Sequence, residues 1–179
     1  MIEPMTARVF LLRAVNVGGA KLPMAELREI AADLGATDVS TYIASGNLIA
    51  TPPKGLDAFE RALEKAIETK YGFFREVVSR TAAELQKALD AHPFEVVQPK
   101  YSYVSFMAKP PTKAAIEKAR AVETGDDVWE VIGRDLHIRY ADGAGHEQMK
   151  TNTILKALGE PATARNLNTV EKLIGLISA

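Results

Sequence analysis

Two stretches of this chain carry the same succession of local signals, and that succession limits the folds open to it. Residues 9–15 form an apolar run broken only by Arg13, which reads as a buried strand. Asn16-Val17-Gly18-Gly19 is a turn. Pro23 suits a first helical position, and Met24, Leu27, Ile30, Ala31 and Leu34 repeat at helical spacing. Gly35 then stands where a helix cap belongs. Residues 39–43 read as a short strand, Ser45-Gly46-Asn47 as a turn and residues 48–51 as another strand. Leu56, Phe59, Leu63, Ile67 and Tyr71 make the apolar stripe of a second helix closed by Gly72, and residues 74–78 a fourth strand.

Thr81-Ala82-Ala83-Glu84 is a capping box opening a connecting helix that ends near His92-Pro93. The order then repeats. Residues 101–107 are a strand, 112–122 a helix after Pro110-Pro111, and 128–132 with 136–140 a hairpin about Gly133-Arg134. Residues 148–158 form a helix closed by Gly159, and 162–165 a short last strand. A terminal helix carries Leu167, Val170, Leu173, Ile174 and Ile177 on one face. Strand, helix, strand, strand, helix, strand (βαββαβ) is the ferredoxin-like order. The expected fold is therefore α+β, with duplicated ferredoxin-like halves in one compact unit. The first half covers residues 1–80, a connecting helix 81–98, and the second half with the C-terminal helix 99–179. The halves are alike in element order and not in sequence.

Composition agrees with a folded core and narrows the function classes. The chain has 179 residues, 47% of them hydrophobic, which excludes wholesale disorder. Lys and Arg total 22 against 23 Asp and Glu, a net charge of −1, so a strongly basic nucleic-acid binder is excluded. The absence of Cys excludes disulfides, thiolate zinc sites and Cys nucleophiles. The N-terminal residues show no basic region before a long apolar run, and no window of about 18 apolar residues occurs. The expectation is a cytoplasmic protein with no membrane association.

Four ordered motifs resemble those of the bacterial domain of unknown function 1697 family. Arg13-Ala14-Val15-Asn16-Val17-Gly18-Gly19 is similar to that family's R-G-I-N-V-G-G opening, and Met24-Ala25-Glu26-Leu27-Arg28 to its first helix. Thr41-Tyr42-Ile43-Ala44-Ser45-Gly46-Asn47 is similar to T-Y-I-Q-S-G-N, and residues 162–170 to A-T-T-R-N-W-N-T-V. The resemblance covers nearly the whole chain and implies a duplicated ferredoxin-like arrangement with no assigned activity. Ala14 replaces the family's usual Gly, so a positive φ is not expected there. Leu167 replaces its usual Trp: it cannot take the place of a ring that stacks on a ligand, but it can replace one that only packs.

Candidate site residues come from these motifs. Arg13 interrupts an apolar strand, where a charge must be paired or face a cleft. Asn16, Gly18 and Gly19 follow it, and Gly-rich turns can present N–H groups to an anion. The same residues also suit a tight loop with Arg13 paired to a carboxylate. Ser45 and Asn47 lie in a turn of ordinary hairpin composition. Asn168 with Glu171 fits a helix N-cap, which leaves Arg165 and Asn166 unexplained by capping; an Arg beside a helix N-terminus can hold phosphate or carboxylate, or it can join the two halves through backbone carbonyls. The leading reading is a site for a small anionic, phosphate- or nucleotide-like ligand made by Arg13, Asn16, Gly18, Gly19, Ser45, Asn47, Arg165 and Asn166. One alternative is a single-stranded nucleic-acid module in which Tyr101 and Tyr103 share a strand face and stack bases. Another is a protein–protein module marked by an exposed apolar patch. His92, His137 and His146 lack metal-ligand spacing, so no metal is expected. His137 alternates with Leu136 and Ile138 and so faces away from them. The sequence names no cofactor, no catalytic residue and no oligomeric state.

Overall fold

The computed structural model describes residues 5–16 and 19–179. In chain order they form β1 (Arg8–Leu12), α1 (Met24–Asp33), β2 (Thr37–Tyr42), β3 (Asn47–Thr51), α2 (Leu56–Tyr71), β4 (Val77–Thr81) and α3 (Ala82–Ala91). There follow β5 (Ser102–Met107), α4 (Lys113–Arg120), β6 (Val128–Ile132), β7 (Asp135–Arg139), α5 (Thr151–Leu158), β8 (Ala162–Asn166) and α6 (Leu167–Ser178). The fold is mixed α and β, with two four-stranded sheets ordered β2-β3-β1-β4 and β6-β7-β5-β8. The pairs within both are antiparallel. By its packing the chain divides into two units, one of residues up to Leu85 with Leu173–Ala179, the other Gln86–Lys172.

In the first unit Phe10, Leu12, Leu48, Ala50 and Val77 line one sheet face. They pack on Leu27 and Ala31 of α1 and on Phe59, Leu63 and Ile67 of α2. The Phe10 and Phe59 rings meet edge to face at 5.1 Å. Each fully buried side chain of this size contributes about 1.5–3 kcal/mol. The apolar face of α2 also carries buried Glu64, which accepts the Val77 N–H at 2.8 Å and meets Arg61 at 3.0 Å. Burial pushes its carboxyl above the ordinary value.

In the second unit Met107, Trp129, Leu136, Ile138 and Ala162 pack with Ala119 of α4 and Ile154 and Leu158 of α5. Arg120 lays its guanidinium 3.7 Å from the Trp129 ring centroid and ion-pairs with Glu130 at 2.9 Å. Alternation along the strands puts His137, Arg139, Ser102, Val104 and Arg165 on the opposite sheet face.

Strand boundaries depart from the sequence expectation for one reason: a strand runs only as far as its partner. β1 stops at Leu12, where the chain turns, and Leu12 pairs with Val77. Residues 74–76 therefore lie outside β4, which runs on to Thr81 instead. Helix ends follow local chemistry. Gly72 and Gly159 take φ 78° and 77° as caps. Thr81 and Glu84 exchange side-chain-to-backbone bonds of 2.9 and 3.2 Å, which completes the capping box. Residues 148–150 do not join α5. The N–H groups of Gln148 and Met149 go to the buried Asp127 carboxylate at 2.6 and 3.0 Å, and its other oxygen accepts from Ala141 N–H at 2.9 Å.

Candidate functional site

The motifs that begin at Arg13 and at Thr41 meet in the first unit. Beyond β1 the chain turns, and Asn16 takes φ 58°. Its side chain closes the following loop, accepting from Leu22 N–H at 2.8 Å and donating to Leu22 C=O at 2.9 Å. The same amide donates to Ala44 C=O at 2.6 Å, which clamps the loop to the turn between β2 and β3. Leu12 N–H adds a bond to Gly46 C=O at 3.0 Å. Gly46 has φ 94°, and a Cβ there would lie 2.7 Å from Val15 Cγ2, so only glycine fits. Asn47 is buried and donates to Tyr42 C=O and Ser45 Oγ at 3.0 and 3.1 Å.

Two expectations about these turns need correction or completion. Ala14 takes φ 52°, although its methyl argued against a left-handed backbone. Tight closure of the loop imposes the handedness whatever side chain is present. Ile43 takes φ 50° and is exposed; for a β-branched residue this is a genuine outlier. Arg13 lies just past the strand with its guanidinium 3.6 Å from Glu76. Arg75 lies alongside, donating to Phe74 C=O at 2.8 Å. Gly19 has φ 101° with open space where a Cβ would be. Gly18 falls outside the described residues.

The motif at residues 162–170 lies in the second unit. Arg165 is buried in β8 and donates to Ala164 C=O at 2.8 Å; burial pushes its pKa down to about 10. Asn166 accepts the Thr169 N–H at 2.9 Å and so caps α6. Asn168, expected as the cap, is an exposed residue inside the helix. The helix starts two residues earlier because β8 runs directly into it, with Leu167 as its first, buried residue.

Tyr101 and Tyr103 do not share a strand face, contrary to expectation. Tyr101 belongs to a 3-10 turn at Pro99–Tyr101 that precedes β5. Tyr103 packs on the second unit's core and meets Tyr140 edge to face at 5.6 Å. A cleft of about 370 Å³ opens beside Tyr101, lined also by Val97, Gln98, Arg139, Tyr140 and Ala141.

His137 is fully buried, its Nδ1 2.9 Å from Nδ1 of His92. One ring donates and the other accepts, so at least one is neutral. Neither Nε2 has a hydrogen-bond partner. Burial, then the neighbouring His92, pushes His137 down to about 4, and burial lowers His92 as well. Among the described residues no group of three or more His, Cys, Asp or Glu side chains could hold a metal ion. No helix among them is long and apolar enough to cross a membrane. Sequence reasoning missed Arg139, the pairing of His92 with His137, and the role of Asp127. The signal for the first was available: His137 and Arg139 alternate with Leu136 and Ile138, which places two nitrogenous side chains on the non-core face of one strand.

Comparison with known proteins gives a family and a fold. Residues 5–137 match the family described as "Protein of unknown function (DUF1697)". Among solved structures, the conserved bacterial protein SP0830 from Streptococcus pneumoniae is similar, at TM-score 0.76 and 23% identity, over 97% of this chain and 99% of that one. No curated protein matches.

Proposed function

The chain belongs to the DUF1697 family, whose description names no activity, and from that premise we propose that it is a binding protein for a small anionic, phosphate- or nucleotide-like ligand, held by the clamped turns of the first unit. Arg13 supplies the charge, Gly19 backbone N–H, and Ser45 a hydroxyl, while Asn16 and Asn47 hold the frame. Arg165 and Asn166 serve β8 and the α6 cap in this reading rather than the ligand.

One observation carries it. The two turns gather left-handed residues at Ala14, Asn16, Gly19, Ile43 and Gly46. Non-glycine residues in such conformations cost about 1–3 kcal/mol each and concentrate at functional sites. Left-handed residues in a turn can aim backbone N–H groups to one side, the arrangement that receives an oxyanion; the Asn16 N–H is given to Ala20 C=O at 2.6 Å and so helps close the loop rather than meet the ligand. The exposed Arg13–Glu76 pair is worth about 0–1 kcal/mol, so a ligand oxyanion readily displaces the carboxylate. We also infer that each unit is a ferredoxin-like repeat; the support is the same βαββαβ order and the same strand order in both sheets.

The test is a thermal-shift series with phosphate, nucleotides, sugar phosphates and carboxylates on wild type and Arg13→Ala. A ligand at about 100 times its dissociation constant adds about 2.7 kcal/mol, a shift of a few degrees. The expected result is a rise with one anion class that Arg13→Ala abolishes. No rise with any anion, or a rise that persists in Arg13→Ala, sinks the proposal.

A further inference from the structure

We propose that the cleft of the second unit, between the 3-10 turn at Pro99–Tyr101 and the end of β7, is a separate site for an oxyanion carried on an apolar ring, with Arg139 holding the carboxylate or phosphate. The inference is independent of the first unit's turns.

The cleft's volume, about 370 Å³, falls in the range of small-molecule sites. Its cation is available. The first-unit cations Arg8, Arg13, Arg28 and Arg61, and Arg120 in the second unit, each have a side-chain partner. Arg139, a half-buried residue that lines the cleft, makes no side-chain hydrogen bond or ion pair among the described residues. A guanidinium carries five donors in a fork that matches a carboxylate or phosphate, and here no side chain occupies it. Directly across the β5–β7 pair stands Ser102, on the same sheet face, with a buried hydroxyl that also lacks a partner. A buried hydroxyl without a partner is uncommon in native folds, and this one stands opposite the residue that brings a cation to the cleft. Lys100, 5.5 Å from the Tyr101 ring centroid, adds positive charge nearby.

The walls suit an apolar body and are already set. The Tyr101 ring rests on Gly143, where a Cβ would come within 3.0 Å of it, so the ring lies against bare backbone. Tyr140 is anchored through its hydroxyl to Thr151 Oγ1 at 3.0 Å. The loop from Ala141 to Met149 is bolted down by the three N–H bonds to Asp127. Val97, 72% exposed, leaves an apolar rim for the ligand to cover. A cavity with fixed walls loses little on ordering, which favours binding.

The test is calorimetric titration of the full chain with phenyl phosphate, benzoate, inorganic phosphate and benzyl alcohol, alongside amide chemical-shift mapping. Wild type is expected to bind a ring-bearing anion, with phenyl phosphate against benzoate separating phosphate from carboxylate. Inorganic phosphate should bind at least about tenfold more weakly, and benzyl alcohol not measurably. Arg139→Met, which keeps the apolar stem, should lose at least about tenfold in affinity, the scale of lost hydrogen bonds to a charged group. Arg139→Lys, which keeps the charge but not the fork, should lose several-fold and serves if the Met variant does not fold. Shifts should concentrate at Tyr101, Arg139, Ala141 and Gly143, and the shifts at these four residues should be the same in Arg13→Ala as in wild type. Absence of binding by either ring-bearing anion overturns the proposal, as does unchanged affinity in both Arg139 variants. Binding lost in Arg13→Ala and kept in both Arg139 variants also overturns it, and supports the first unit's turns instead.

Discussion

Ala14 shows what one methyl group costs in the wrong backbone. At φ 52° its Cβ crowds the following carbonyl, a penalty of about 1–2 kcal/mol that glycine escapes. Glycine also has more freedom to lose on folding, which offsets part of the gain. Ala14→Gly should therefore raise stability by about 0.5–1 kcal/mol, read as a higher urea midpoint at unchanged slope. A lower midpoint would mean that the methyl makes a contact that outweighs the strain. The histidine pair sets a second expectation at this scale. His137 titrates at about 4 in the folded chain against an ordinary 6.5. Unfolded chains thus bind the proton first as pH falls, so stability is complete above 6.5 and is lost on the way down to about 4. The loss is on the order of 3 kcal/mol. Urea midpoints measured above and below that window should show it, and His137→Leu should flatten the slope. A slope unchanged in that variant would assign the acid sensitivity to other groups.

Element by element, what the sequence disclosed was what neighbours in sequence decide. The glycine caps of α2 and α5 and the Thr81–Glu84 box all formed as read, because their partners lie within four residues. Strand ends were less legible. The start of β4 is set by where β1 stops, sixty-odd residues earlier in the chain. The α5 start is set by Asp127, a carboxylate far outside any local window. The α6 cap was misread for a related reason: Asn168 with Glu171 has the right spacing, but β8 delivers Asn166 to the capping position first. Asn166→Ala should destabilise by about 1 kcal/mol, and Asn168→Ala should stay within about 0.5 kcal/mol. Thermal melts of the two variants separate the assignments, and reversed magnitudes would reinstate Asn168. The candidate site divides along the same line. Asn16 and Ser45 were visible as turn residues, but the bond that ties their turns together, Asn16 to Ala44, spans 28 positions. The alternation along β7 puts Arg139 on the non-core face, but that no side chain pairs with it shows only once its distant neighbours are in place.

For the molecule as a whole, the repeated order of elements gives each sheet two central strands and two edges. β1 and β5 are bonded on both sides, whereas β2 is a half-exposed edge with a register shift between Thr37 and Ser40. Hydrogen exchange should be slowest in β1 and β5 and fastest among the strands in β2. Equal protection in β2 and β1 would contradict that ordering. Trp129 has a consequence of an optical kind. It is the chain's single tryptophan, buried in the second unit's core beneath Arg120. Its emission therefore samples the surroundings of one ring in one unit, whereas far-ultraviolet dichroism sums over every helix in both. The two signals followed through the same melt become a count of cooperative transitions. Ala14→Gly, placed in the first unit, makes the count decisive. If it moves the tryptophan curve as far as the dichroic one, the chain melts once; if it moves the dichroic curve alone, the chain melts twice.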